Sequence, residues 1–220
     1  MPTMPSRRRC LFAACIASLA LVVSPVAEGS ATTVHPRSVP VVHARALPAV
    51  GVEVPTNVVA VDVPLEVDGV LVKVNLRGAM RQRVELDPNE NPTVAVRLRT
   101  TEFHLEGTTA DGQLGVKLDL AGPDQAPAST LRVEQVFPPR IRETDVIPLA
   151  LTIERTGQPT ITLSSVHPAI LTATLLDFPP RGDAYELANP VDFVTPGTST
   201  TVARLLALPA QRGGNVLSPQ

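Results

Sequence analysis

The chain has no tryptophan, one tyrosine, five phenylalanines and two cysteines among 220 residues. Each scarcity removes a class of function. Cys10 and Cys15 both fall inside an apolar leader, so beyond it no thiol can act as nucleophile, ligate a metal or form a disulfide. Past the leader the aromatics are Phe103, Phe137, Phe178, Phe193 and Tyr185. Surfaces that bind sugars or single-stranded nucleic acid need exposed aromatic faces for stacking, and these few side chains fit a core better. Lysine is almost missing, with only Lys73 and Lys117 present. Setting aside Arg7, Arg8, Arg9 and Glu28, the 19 basic and 21 acidic residues become 16 and 20, a net charge near −4. That balance does not suit a nucleic-acid partner.

Chemistry-bearing motifs are also lacking. No two histidines among His35, His43, His104 and His167 have metal-ligand spacing, so neither a zinc site nor a cofactor is expected. Asp87, Asn89 and Asn91 imitate the start of a calcium loop, but Pro92 stands where its glycine belongs and Leu98 where its last carboxylate belongs. No Gly-x-Ser-x-Gly elbow exists. No catalytic residue is nominated.

What is present begins with an export signal at residues 1–31. Arg7 to Arg9 precede an apolar run from Leu11 to Ala27, and small residues follow at Gly29 to Ala31. The run is short for a membrane span, and no later stretch is long and apolar enough to make one. A secreted or extracytoplasmic protein is expected. The excess of Arg over Lys, with much Ala, Val and Pro, suggests a bacterial genome rich in G and C.

Residues 32–56 read as a Pro-rich extended linker and 208–220 as a flexible C-terminal tail. Between them, 57–207 consists of period-two apolar runs punctuated by Gly, Pro, Asn and Asp, with no capped helix. The expected fold is all-β: a two-sheet antiparallel β-sandwich of about ten strands, with a closed antiparallel β-barrel as the alternative. A three-residue turn at Gly78 to Met80 would set Val74 opposite Val84 and Lys73 opposite Glu85. Matching faces would then place Arg83 opposite Arg97 and Arg81 opposite Arg99, with a bulge near Thr100. Asp111-Gly112 signals a second hairpin that pairs His104 with Asp119, Leu105 with Leu118 and Glu106 with Lys117. The tetrapeptide Phe-Pro-Pro-Arg occurs at 137–140 and again at 178–181. Without a third copy it is read as a strand terminator, each Phe closing the core and each Arg reaching water.

Alternation places Lys73, Arg77, Arg81, Arg83, Arg97 and Arg99 on one outward face, a candidate surface for an anionic envelope component or an acidic protein. Glu85, Glu102 and Glu106 are the residues that would neutralise it within the fold. His104 and Asp119 form a candidate pH-sensitive pair. The leading functional expectation is an exported, non-enzymatic protein with a binding or structural role at the cell envelope. The alternatives are a carrier of an apolar small molecule or lipid in an inter-sheet cavity, and a hydrolase whose carboxylates come together only in the fold.

Overall fold

The computed structural model describes residues 47–122 and 128–213, so the expected export signal and most of the expected linker lie outside the described residues. Every regular element is a strand: β1 (Glu53–Val67), β2 (Val70–Glu85), β3 (Ala95–Thr109), β4 (Leu114–Leu120), β5 (Ser129–Gln135), β6 (Arg140–Ile147), β7 (Leu149–Arg155), β8 (Ile161–Ser165), β9 (Ala169–Leu175), β10 (Arg181–Leu187), β11 (Val191–Val194), β12 (Thr201–Leu205) and β13 (Ala210–Gly213). All pairings are antiparallel and join one thirteen-stranded sheet, so the expected class is found while the expectation of about ten strands in two sheets fits only roughly.

The first three strands organise the rest. At 15, 16 and 15 residues they are far longer than the usual strand of about six. β2 pairs with β1 on one edge and β3 on the other along nearly its whole length. The free edge of β1 is divided: 58–60 pair with β13 and 65–67 with β12. The free edge of β3 is divided likewise: 95–98 pair with β5 and 104–108 with β4. The pairings therefore close two rings that share β1, β2 and β3. The first adds β4, β7, β8, β11 and β12; the second adds β5, β6, β9, β10 and β13. Among the described residues every strand has a neighbour on both edges, though some, such as β9 beside β10, are paired over only two residues.

The shared strands change direction where they pass from one ring to the other. β1 carries a bulge between Ala60 and Val63, where Asp62 takes a φ of 55° and its N–H is held by Asn75 Oδ1 at 2.8 Å. β2 and β3 contribute Gly78 and Gly107. A Cβ on Gly78 would lie 1.9 Å from the His104 carbonyl oxygen, and one on Gly107 1.8 Å from that of Asn75. Only glycine tolerates such an approach of two backbones.

That contact corrects the expected turn at Gly78 to Met80. β2 runs unbroken through it, and the true turn is Asp68-Gly69. Val74 therefore faces Thr109 and Lys73 faces Pro64, while Arg83 stands opposite Arg99, Glu85 opposite Arg97 and Arg81 opposite Glu102. The bulge expected near Thr100 is present, opposite Arg81 and Gln82. The Asp111-Gly112 hairpin has the expected register. At the domain limits, Glu53 to Thr56 open β1 and Ala210 to Gly213 form β13, so ordered strand extends into both the expected linker and the expected tail.

The first ring is filled by apolar side chains, among them Leu65, Leu76, Leu105, Leu118, Leu151 and Phe193, all buried. The second is filled differently.

Candidate functional site

Inside the second ring, period-two alternation delivers polar groups to a face that should be apolar. β6 points Ile141, Glu143, Asp145 and Ile147 inward. β2 adds Gln82, β1 Thr56, β10 Tyr185 and β13 Arg212, all buried. Arg212 Nη1 donates to Glu143 Oε1 at 2.7 Å and to Asp145 Oδ2 at 2.5 Å. Its Nη2 donates to Gln82 Oε1 at 2.8 Å and, more weakly, to Thr56 Oγ1 at 3.5 Å. Gln82 Nε2 donates to Asp145 Oδ1 at 2.6 Å, and the Tyr185 hydroxyl to Glu143 Oε2 at 2.5 Å. The guanidinium carbon sits 4.5 Å from the Tyr185 ring centroid, within cation–π range. Among the described residues two buried side-chain polar atoms lack a partner, Thr100 Oγ1 and Arg212 Nε.

Two carboxylates facing one guanidinium leave one negative charge too many for a dry interior. Burial, reinforced by the Glu143 charge, pushes Asp145 up to about 8 against the pull of Arg212 and Gln82. The direction favours a protonated Asp145, and both carboxyl groups lie against Arg212 Nη1. Burial acts against the Arg212 charge, but Glu143 and Asp145 outweigh it and hold the guanidinium above its ordinary value. Burial and then Glu143 raise the Tyr185 hydroxyl. The side chains of Arg212, Glu143 and Asp145 are at most 1% exposed, so no substrate reaches them in this conformation. The cluster cross-links five strands and ties the last one into the ring.

Sequence reasoning passed over this network. Its one legible signal was Glu143 and Asp145 in phase with Ile141 and Ile147. Arg212 falls in the stretch expected to be a flexible tail.

The six basic residues all point outward, on β2 and β3 rather than on three strands. Three are paired: Arg81 with Glu102 at 3.5 Å, Arg97 with Asp87 at 3.9 Å and Arg99 with Glu85 at 3.7 Å. Glu85 and Glu102 are two of the expected neutralising residues and Asp87 is an addition. Glu106 instead leans toward His104, at 3.7 Å. Among the described residues no carboxylate lies within ion-pair distance of Lys73, Arg77 or Arg83.

Arg77 lines a groove of about 760 Å³ outside the passage between the rings, with Val59, Asn75, Glu106, Lys117 and Glu154. Lys117 Nζ donates to Glu154 Oε1 at 2.6 Å, which holds the amine above its usual range. His104 and Asp119 meet as expected, with Nδ1 donating to Oδ1 at 2.6 Å, both about half exposed.

The two Phe-Pro-Pro-Arg copies form the β5–β6 and β9–β10 turns, each with a cis Phe-Pro bond. Phe178 packs on the core as expected. Phe137 does not: it is 80% exposed. Asp87, Asn89 and Asn91 make ordinary side-chain-to-backbone turns, with Asp87 accepting from the Asn89 N–H and Asn91 from the Thr93 N–H. Among the described residues no three His, Cys, Asp or Glu side chains could hold a metal ion, and no helix is long and apolar enough to cross a membrane.

No protein-family model and no curated protein sequence matches the chain. Among solved structures it is similar to DynF from the dynemicin biosynthesis pathway of Micromonospora chersina, with a TM-score of 0.54, 18% identity, and coverage of 79% of this chain and 86% of that one. The likeness supports a shared fold.

Proposed function

We propose that this chain is an exported, non-enzymatic protein that binds an anionic partner through the outer face of β2 and β3. The observation that carries the reading is the cross-strand pair Arg83–Arg99. Like charges directly opposite destabilise a sheet. Glu85 answers Arg99, while Arg83 forms no ion pair among the described residues, although Glu53 stands opposite it on β1. A phosphate or carboxylate bridging the two guanidinium groups would relieve that repulsion and accept bidentate hydrogen bonds. Against an enzymatic reading stands the inaccessibility of the carboxylates with an unusual environment. DynF comes from a biosynthetic pathway, but at 18% identity its role does not transfer.

The test is retention of the purified chain on immobilised polyphosphate across a salt gradient. Replacing Arg81, Arg83, Arg97 and Arg99 by Gln should move elution to lower salt, since such contacts are screened within about 10 Å at 0.1 M ionic strength. Unchanged elution ends the proposal.

A second reading rests on a cavity of about 480 Å³ at the open end of the first ring. Val67, Val72 and Leu114 give it an apolar wall, and the Arg155–Asp68 ion pair, 2.7 Å apart, stands at its edge. Asp68, Asp111, Gln113 and Gln158 line the rest, so a small molecule with one apolar face suits this site better than the ring interiors, which side chains fill.

A further inference from the structure

The second ring is closed by a strand with little to hold it. β13 is four residues long and stands between β1 and β10, joining them. It meets β1 at three positions, 58–60, and β10 at four, between Arg181 and Tyr185. It reaches this place by a connection, 206–209, that leaves β12 in the first ring. One long side chain, Arg212, points inward from it and is buried. That side chain is imperfectly seated, because its Nε lacks a partner among the described residues.

The charges that Arg212 meets do not balance it. β6 presents two buried carboxyl groups, Glu143 and Asp145, to the same Nη1. β10 presents Tyr185, bonded to Glu143. It also carries Asp183 opposite Arg212, which is partly exposed and accepts the Arg181 N–H at 2.7 Å. The buried positions of this ring on β1, β2, β3, β5 and β9 are uncharged. One buried guanidinium therefore faces two buried carboxyl groups with no second cation from any neighbouring strand. A dry interior does not hold that surplus negative charge, and a proton is what removes it.

We propose that β13 is a proton-linked latch: a proton held between Glu143 and Asp145 keeps the strand seated, and loss of that proton lifts it from β1 and β10 while the first ring stays folded. The first ring can persist because its core is apolar and contains no member of the cluster. Lifting lets water reach both carboxyl groups, and their hold on the proton falls toward the ordinary range of about 4. The raised position of Asp145 when buried, about 8, agrees. The seated state thus binds a proton that the lifted state releases. Lifting is hardest at low pH and becomes easier as pH rises toward 8, by at most about tenfold per pH unit. Tyr185 and Arg212 keep their protons throughout, since both are held above their ordinary values. Once lifted, β13 leaves the 58–60 edge of β1 and the 181–185 edge of β10 open to another strand.

Native-state hydrogen exchange on the full chain, between pH 5 and 8 and in low urea, tests this. Rates are corrected for the intrinsic effect of pH on amide exchange. Local opening exposes little surface, so exchange at 210–213 should be faster than at 116–118 in β4 and insensitive to urea below the unfolding transition. Its protection should fall with pH, by at most about tenfold per unit. Asp145→Asn and Glu143→Gln should each flatten that fall, because either leaves one carboxyl group for one guanidinium. Protection at 210–213 that matches 116–118 in size and urea dependence would overturn the latch, since the strand would then part only with the whole fold. So would protection that does not change with pH, or a fall that survives in both variants.

Discussion

Replacing Arg212 by Met tests whether the polar cluster holds the second ring together. The substitution roughly preserves the aliphatic stem and deletes the charge. It removes hydrogen bonds to Glu143, Asp145, Gln82 and Thr56 and leaves a carboxylate ion at 0% exposure without its cation. Breaking a buried pair from one side costs about 3–5 kcal/mol, against about 5–15 kcal/mol for a whole domain. Urea unfolding at pH 7 is the assay. It can be followed by near-UV circular dichroism, because Tyr185 is the only tyrosine and its ring packs on Arg212. Adding Glu143→Gln and Asp145→Asn to Arg212→Met should restore much of the loss, since the uncompensated charge disappears with them. A change below about 1 kcal/mol on Arg212→Met would refute the claim that burial makes this network decisive.

Four further outcomes follow from the same physics. Asp145 sits at about 8 in the folded chain and near about 3.9 when unfolded, so between these values the native state holds a proton that the unfolded state lacks. Stability from this group is therefore greatest below pH 4 and falls as pH rises toward 8, at most about tenfold in the folding constant per pH unit; Asp145→Asn should flatten the slope. Gly78→Ala or Gly107→Ala should destabilise by more than about 2 kcal/mol because backbone oxygens occupy the Cβ position. Gly69→Ala, with open space and a φ of 79°, should cost only about 1 kcal/mol, and denaturant midpoints will rank them. Thr100→Val, which deletes an unpartnered buried hydroxyl, should be neutral or stabilising in the same assay. The four-arginine Gln variant should keep its folding stability within about 1 kcal/mol, because its ion pairs are solvent-exposed, so a binding defect in it would not reflect misfolding.

The two glycines show where reading the sequence succeeds and where it stops. Asp111-Gly112 was legible because a two-residue turn requires a local backbone conformation that glycine supplies. Gly78 looked equivalent, but its role is to let a distant strand approach, and no local pattern encodes that distance. The outward placement of the basic residues followed from parity alone. Which of them have carboxylate partners depended on the register of β2 against β3, which lies two residues from the face-matched one at Arg83 and three at Arg81.

By itself the sequence determined the all-β class, the inward and outward faces, the Asp111-Gly112 hairpin and the bulge near Thr100, because each rests on spacing within a few residues. The tertiary structure alone decided that β1, β2 and β3 serve two rings, that Arg212 closes on Glu143 and Asp145 more than 60 residues away, and that the two Phe-Pro-Pro-Arg turns lie side by side. Those features depend on which strands become neighbours. Neighbours are chosen by the burial of the whole chain, which leaves no periodic trace along it.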